Sequence, residues 1–121
     1  MLAAMTNPSV RIYHNPRCTK SREALALLQQ RGFAPDVRLY LEAPPSEAEL
    51  RELLGKLQVP APQLLRTKED AYARSGLSEQ SSPDDVLKAI AQAPILLERP
   101  LVVVGSRAVI ARPPEKLLEL L

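Results

Sequence analysis

Between positions 10 and 40 the hydrophobic pattern changes period twice, and this restricts the fold more than any other feature of the chain. Residues 10–13 (Val-Arg-Ile-Tyr) alternate apolar and polar types and include β-branched and aromatic side chains, the pattern of a strand. A polar stretch containing Pro16 follows, and then Ala24, Leu25, Leu27 and Leu28 recur at helical spacing. Gly32 suits the position just past the helix, because glycine accepts the left-handed conformation common there. Residues 36–40 (Asp-Val-Arg-Leu-Tyr) return to strand chemistry. A strand, a helix and a strand in this order favour parallel pairing through a right-handed crossover. The chain is therefore expected to open with a βαβ unit, and Cys18 falls at its strand-to-helix turn.

The stretch 44–93 reads as helical. Ser46 with Glu49 three residues on is a capping-box pattern, and Leu50, Leu53, Leu54 and Leu57 follow at helical spacing. A second start appears at Ser82, with Pro83 in the first helical position and Asp84 and Asp85 near the positive end of the dipole. Pro60 and Pro62 interrupt the pattern, so short helical pieces are expected over 61–75. About 50 residues would make a marginal independent core, so this stretch is read as an insertion packed on the sheet within a single domain, 1–121. Strand chemistry returns at 101–104 and 108–110, separated by a Gly105-Ser106 hairpin signal. Pro113-Pro114 then opens a terminal helix carrying Leu117, Leu118, Leu120 and Leu121. The expected fold is α/β, a mixed four-stranded sheet flanked by helices with a helical insertion between strands 2 and 3.

Composition excludes several function classes. Hydrophobic residues at 45% and charged residues at 25% are ordinary for a globular chain, so disorder is not expected. The net charge of +2 is scattered over the sequence, too weak for a nucleic-acid partner but compatible with a small anion. No apolar stretch reaches the roughly 18 residues of a membrane span, and the leader 1–8 lacks the basic start and apolar core of a secretory signal. The expected compartment is the cytoplasm. One cysteine and one histidine are too few for a zinc site from a single chain, so no such metal site is expected.

The candidate nucleophile is Cys18. A thiol attacks only when ionised, and a helix N-terminus with nearby cations favours the thiolate; Arg17, Lys20 and Arg22 flank it in sequence. Unpaired amides at such a terminus also bind tetrahedral oxyanions. The contrary reading, a buried cysteine acting as a small hydrophobe, fits poorly with these polar flanks. Ser21 stands where a dithiol motif would place its second cysteine, so any adduct on Cys18 must be attacked by an outside thiol. A phosphatase loop would need arginine at position 24, which is Ala24.

The run Ile12-Tyr-His-Asn-Pro-Arg-Cys-Thr-Lys-Ser-Arg22 resembles the active-site signature of the glutaredoxin-linked arsenate reductases, the ArsC family, especially its short YfgD-like members. Tyr40-Leu-Glu-Ala-Pro-Pro45, Leu64-Leu-Arg-Thr-Lys68, Ile95-Leu-Leu-Glu-Arg-Pro-Leu-Val-Val103 and Ala111-Arg-Pro-Pro-Glu115 resemble further family motifs in the family's order. The resemblance implies a thioredoxin-like core and assigns arsenate binding to Arg66, Arg99 and Arg112. Read singly, each arginine is an ordinary solvated charge; together they suit a dianion, because guanidinium forks grip oxyanions in bidentate fashion. The resemblance also implies a cis peptide before Pro100. His14 either tunes the Cys18 region or caps the turn through a backbone hydrogen bond. Asn15 and Ser21 are expected to shape the loop and to donate hydrogen bonds to the thiolate or anion.

The implied reaction starts with attack of Cys18 on arsenate to form a sulfur–arsenic adduct. Glutathione, the co-substrate, attacks the adduct, and glutaredoxin reduces the mixed disulfide as arsenite leaves. Two alternatives stand beside it. One is a monothiol glutathione-dependent oxidoreductase. The other is an Spx-like transcription regulator binding RNA polymerase, which Ser21 and the arginine trio disfavour.

Overall fold

The fold is described from a computed structural model over residues 9–121. The leader 1–8, read above as carrying no signal, lies outside the described residues. The described residues group into two compact units, one formed by 9–38 with 99–121 and the other by 39–98.

The first unit is built on a four-stranded sheet. Strand β1 covers Val10–His14, helix α1 Thr19–Gln30 and strand β2 Asp36–Leu39. After the insertion come β3, Leu101–Val104, and β4, Arg107–Ile110. The order is β2-β1-β3-β4, with β1/β3 and β3/β4 antiparallel, and the sheet is mixed as expected. Val104 pairs with Arg107 across the Gly105-Ser106 loop, and Gly105 has φ +61, the positive first position of a II′ hairpin. Gly32, at φ +88, likewise adopts the left-handed conformation after α1. Val10, Ile12, Val102 and Val104 of the strands meet Ala24 and Leu28 of α1 and Leu117 of the terminal helix in one apolar cluster, with Phe33 partly buried against it. The terminal helix, Pro114–Leu120, is a 3₁₀-helix, closed by bonds such as Lys116 N–H to the Pro113 carbonyl (3.0 Å).

The second unit is all helical. Helix α2 covers Glu47–Leu57, α3 Asp70–Ser75 and α4 Pro83–Gln92, with 3₁₀ turns at Ala61–Leu64 and Pro94–Leu96. Both serine caps form: Ser46 Oγ accepts from Glu49 N–H (3.1 Å) and Ser82 Oγ from Asp85 N–H (3.2 Å). Leu50, Leu53 and Leu57 of α2 are buried, as are Val86, Leu87 and Ile90 of α4, and these two helices pack on each other. The segments on either side of α3 and α4 are stitched by an antiparallel bridge between Leu65 and Leu97. Tyr40, read as the end of the second strand, lies one residue beyond β2 and is fully buried. Among the described residues no helix is long and apolar enough to cross a membrane.

Candidate active site

Strand register brings the ends of the first unit together. Tyr13 pairs with Leu101 and Leu101 with Ile110, so the loop leaving β1, the residues just before β3 and those just after β4 share one end of the sheet. Cys18, Arg99 and Arg112 belong to these three segments. The Ala111 N–H donates to the Pro100 carbonyl (2.9 Å), and Arg112 Nη1 to the Arg99 carbonyl (3.0 Å). The Arg99–Pro100 peptide is cis, as the resemblance implies, and so is Arg112–Pro113.

Cys18 is the N-cap of α1, in an extended conformation (φ −94, ψ 122), and the residue is half-buried. Burial raises its pKa, but bonds from the Ser21 N–H, the Arg99 side chain and the Lys20 N–H, with the Arg99 charge, outweigh it. The net result is a thiol pKa below the ordinary value. The first amides of α1 therefore face the sulfur. The Lys20 and Ser21 amides, with Arg99 as the neighbouring cation, thus act to favour the ionised sulfur.

Three polar residues behind the loop are buried: His14, Asn15 and Ser21. Ser21 Oγ accepts from the Asn15 N–H (3.0 Å) and lies 2.6 Å from His14 Nδ1. Asn15 Oδ1 accepts from the Arg17 N–H (3.0 Å), and the Asn15 carbonyl from the Cys18 N–H (3.0 Å). Burial lowers the His14 pKa, and the Arg22 charge adds to it, so the imidazole is neutral near pH 7. The neutral ring and the Ser21 hydroxyl thus share one hydrogen bond, while the same oxygen accepts from the Asn15 N–H. Asn15 also bonds to the loop beyond Pro16, at Arg17 and Cys18. The Ser21 hydroxyl is engaged by His14 and Asn15, and the Ser21 N–H favours the thiolate. His14 is held by a side chain, not by the backbone bond that the sequence reading offered.

Arg66 belongs to the second unit, and it is engaged there. Its Nε donates to Glu69 Oε2 (3.1 Å) and its Nη1 to Glu98 Oε1 (3.2 Å), with its side chain 18% exposed. Its N–H donates to the Leu96 carbonyl (2.8 Å), so it also closes the Leu65–Leu97 bridge. Neither carboxylate is among the sequence candidates. Glu69, three residues on, is a spacing at which ion pairs form and was open to detection; Glu98 was not. Among the described residues no group of three His, Cys, Asp or Glu side chains could hold a metal ion.

The ArsC family model matches residues 13–120. The chain is 49% identical over 113 residues to the YfgD protein of Escherichia coli (strain K12), covering 92% of this chain and 95% of that one. It is 43% identical over 112 residues to a protein named arsenate reductase from Neisseria meningitidis, covering 91% and 96%. A solved structure described as arsenate reductase from Vibrio cholerae superposes with a TM-score of 0.91 at 46% identity, covering 96% of this chain and all of that one. The mixed four-stranded sheet flanked by helices is thus a thioredoxin-like fold shared with these structural neighbours, and the chain belongs to the ArsC family.

Proposed function

We propose that this protein is an arsenate reductase that works through a covalent Cys18 adduct. The observation that carries the reading is the sulfur's surroundings: two helix-terminal amides and the Arg99 guanidinium favour its ionised form. Relatives and structural neighbours named arsenate reductase support the choice of substrate. Arsenate is a tetrahedral oxyanion, and Arg99 and Arg112 sit at the Cys18 end of the sheet, where cations would capture it. Family resemblance adds Arg66 to this set, and the whole chain then acts as one functional domain.

In the proposed reaction the thiolate displaces a hydroxyl from arsenate, which leaves as water after proton transfer, and a sulfur–arsenic(V) bond forms. A glutathione thiolate next attacks the Cys18 sulfur. The sulfur–arsenic bond breaks, its electron pair leaves with arsenic as arsenite, and a Cys18–glutathione disulfide remains. Glutaredoxin supplies the second thiol that reduces this disulfide, because the chain's only cysteine is already engaged. The chemistry needs no bound cofactor, and the compartment that suits it is the reducing cytoplasm.

The test is a coupled assay of arsenate-dependent NADPH oxidation with glutathione, glutaredoxin and glutathione reductase. Turnover that requires arsenate and vanishes in Cys18→Ser supports the reading. With glutaredoxin and arsenate left out, NADPH oxidation that a glutathione mixed disulfide drives only when this protein is present would instead favour a monothiol oxidoreductase.

A further inference from the structure

Arg22 makes three bonds to the loop that carries Cys18. Its backbone N–H donates to the Cys18 carbonyl (3.0 Å), its Nη1 to the Pro16 carbonyl (2.8 Å) and its Nη2 to Thr19 Oγ1 (3.2 Å). Pro16 and Thr19 bracket Arg17 and Cys18, so one guanidinium spans the nucleophile's segment from both sides. The two terminal nitrogens are used on different partners, which suits a planar fork and not a single ammonium. Arg22 is exposed and lies outside the apolar cluster, so packing does not account for this placement.

We propose that Arg22 is a positioning residue for the Cys18 thiolate, its guanidinium strapping Pro16 to Thr19 so that the Lys20 and Ser21 amides stay aimed at the sulfur. The inference rests on the reading of Cys18 as nucleophile and deepens it. Hydrogen bonds weaken steeply with misalignment. Without the strap the backbone at Arg17 and Cys18 gains freedom, and the bonds that stabilise the thiolate lose alignment. The groups facing the sulfur are the Lys20 and Ser21 amides and the Arg99 side chain; those facing His14 are Ser21 and the Arg22 charge. Arg22 therefore acts on Cys18 through geometry and on His14 through charge, and these two actions are separable.

The chain contains one cysteine and one histidine, so each is a clean reporter. Arg22→Lys keeps the charge and loses the fork, whereas Arg22→Gln loses both. In Arg22→Lys the His14 titration by NMR is expected to stay at its wild-type position. The iodoacetamide rate at neutral pH is expected to fall about three- to tenfold, with its midpoint displaced upward. In Arg22→Gln both titrations are expected to move upward. In the coupled assay kcat falls for both variants while KM for arsenate stays within about twofold, because the strap holds the thiolate and not the anion. The alkylation arm needs no substrate, so failure of the arsenate reading would leave it intact. A wild-type alkylation profile in Arg22→Lys would overturn the proposal, and so would a rise in KM with kcat unchanged.

Discussion

The Ser21 hydroxyl lies 2.6 Å from Nδ1 of His14, and both side chains are buried behind the Cys18 loop. The same hydroxyl accepts from the Asn15 N–H, so a single oxygen ties the end of β1 to the first turn of α1. Ser21→Ala would leave a buried ring nitrogen and a buried amide without this partner. Each such orphan costs about 1–3 kcal/mol, so the two together give an expected stability loss of roughly 2–6 kcal/mol, read from the urea midpoint. Slower alkylation of Cys18 should accompany it, because the Ser21 N–H that reaches the sulfur is carried on the same turn.

His14 gives the fold a dependence on pH. Its folded-state pKa is lowered, first by burial and then by the Arg22 charge. Between that value and the unfolded value of about 6.5, the unfolded chain binds more protons, so this group's contribution to stability is complete above about 6.5 and is lost on acidification. Urea midpoints measured from pH 7 down to pH 5 should fall. In His14→Asn the fall should be smaller, and an unchanged slope in that variant would place its origin in other groups.

Arg66 carries a structural load as well as its proposed one. Replacing it with alanine would remove the Arg66 charge from the Glu69 and Glu98 carboxylates, whose side chains are only 27% and 23% exposed. A destabilisation of about 1–3 kcal/mol is expected, less than breaking a fully buried pair costs because water reaches this cluster in part. Adding Glu69→Gln and Glu98→Gln to Arg66→Ala should recover part of the loss by removing charges that Arg66 no longer balances. Equal urea midpoints for wild type and Arg66→Ala would show that the cluster contributes nothing to folding. Arsenate kinetics on Arg66 variants must accordingly be read at temperatures where each variant is fully folded.

Much of this architecture is legible in the sequence because its signals are local. The period change at 10–40, the serine caps at 46 and 82 and the Gly105-Ser106 loop all act within a few residues, and each forms as read. The partnership of Cys18 with Arg99 is different, since it depends on the registers Tyr13–Leu101 and Leu101–Ile110, which no local pattern encodes. Only the family resemblance reaches it. The contact of Arg66 with Glu98, 32 positions away, escapes for the same reason. So does the direction of the α1 amides. Capping chemistry says that they are free, but only the backbone path through Asn15, Cys18 and Arg22 decides that they meet the sulfur.

The most direct measurement of the central claim is the rate of Cys18 alkylation by iodoacetamide across pH, with and without arsenate, in wild type and in Arg99→Ala. The wild-type midpoint is expected below the free-cysteine value of about 8.5, since the Ser21 and Lys20 amides and Arg99 stabilise the thiolate. Arsenate should protect the sulfur, and Arg99→Ala should both raise the midpoint and weaken the protection. A wild-type midpoint at or above 8.5, together with alkylation indifferent to arsenate, would contradict the account.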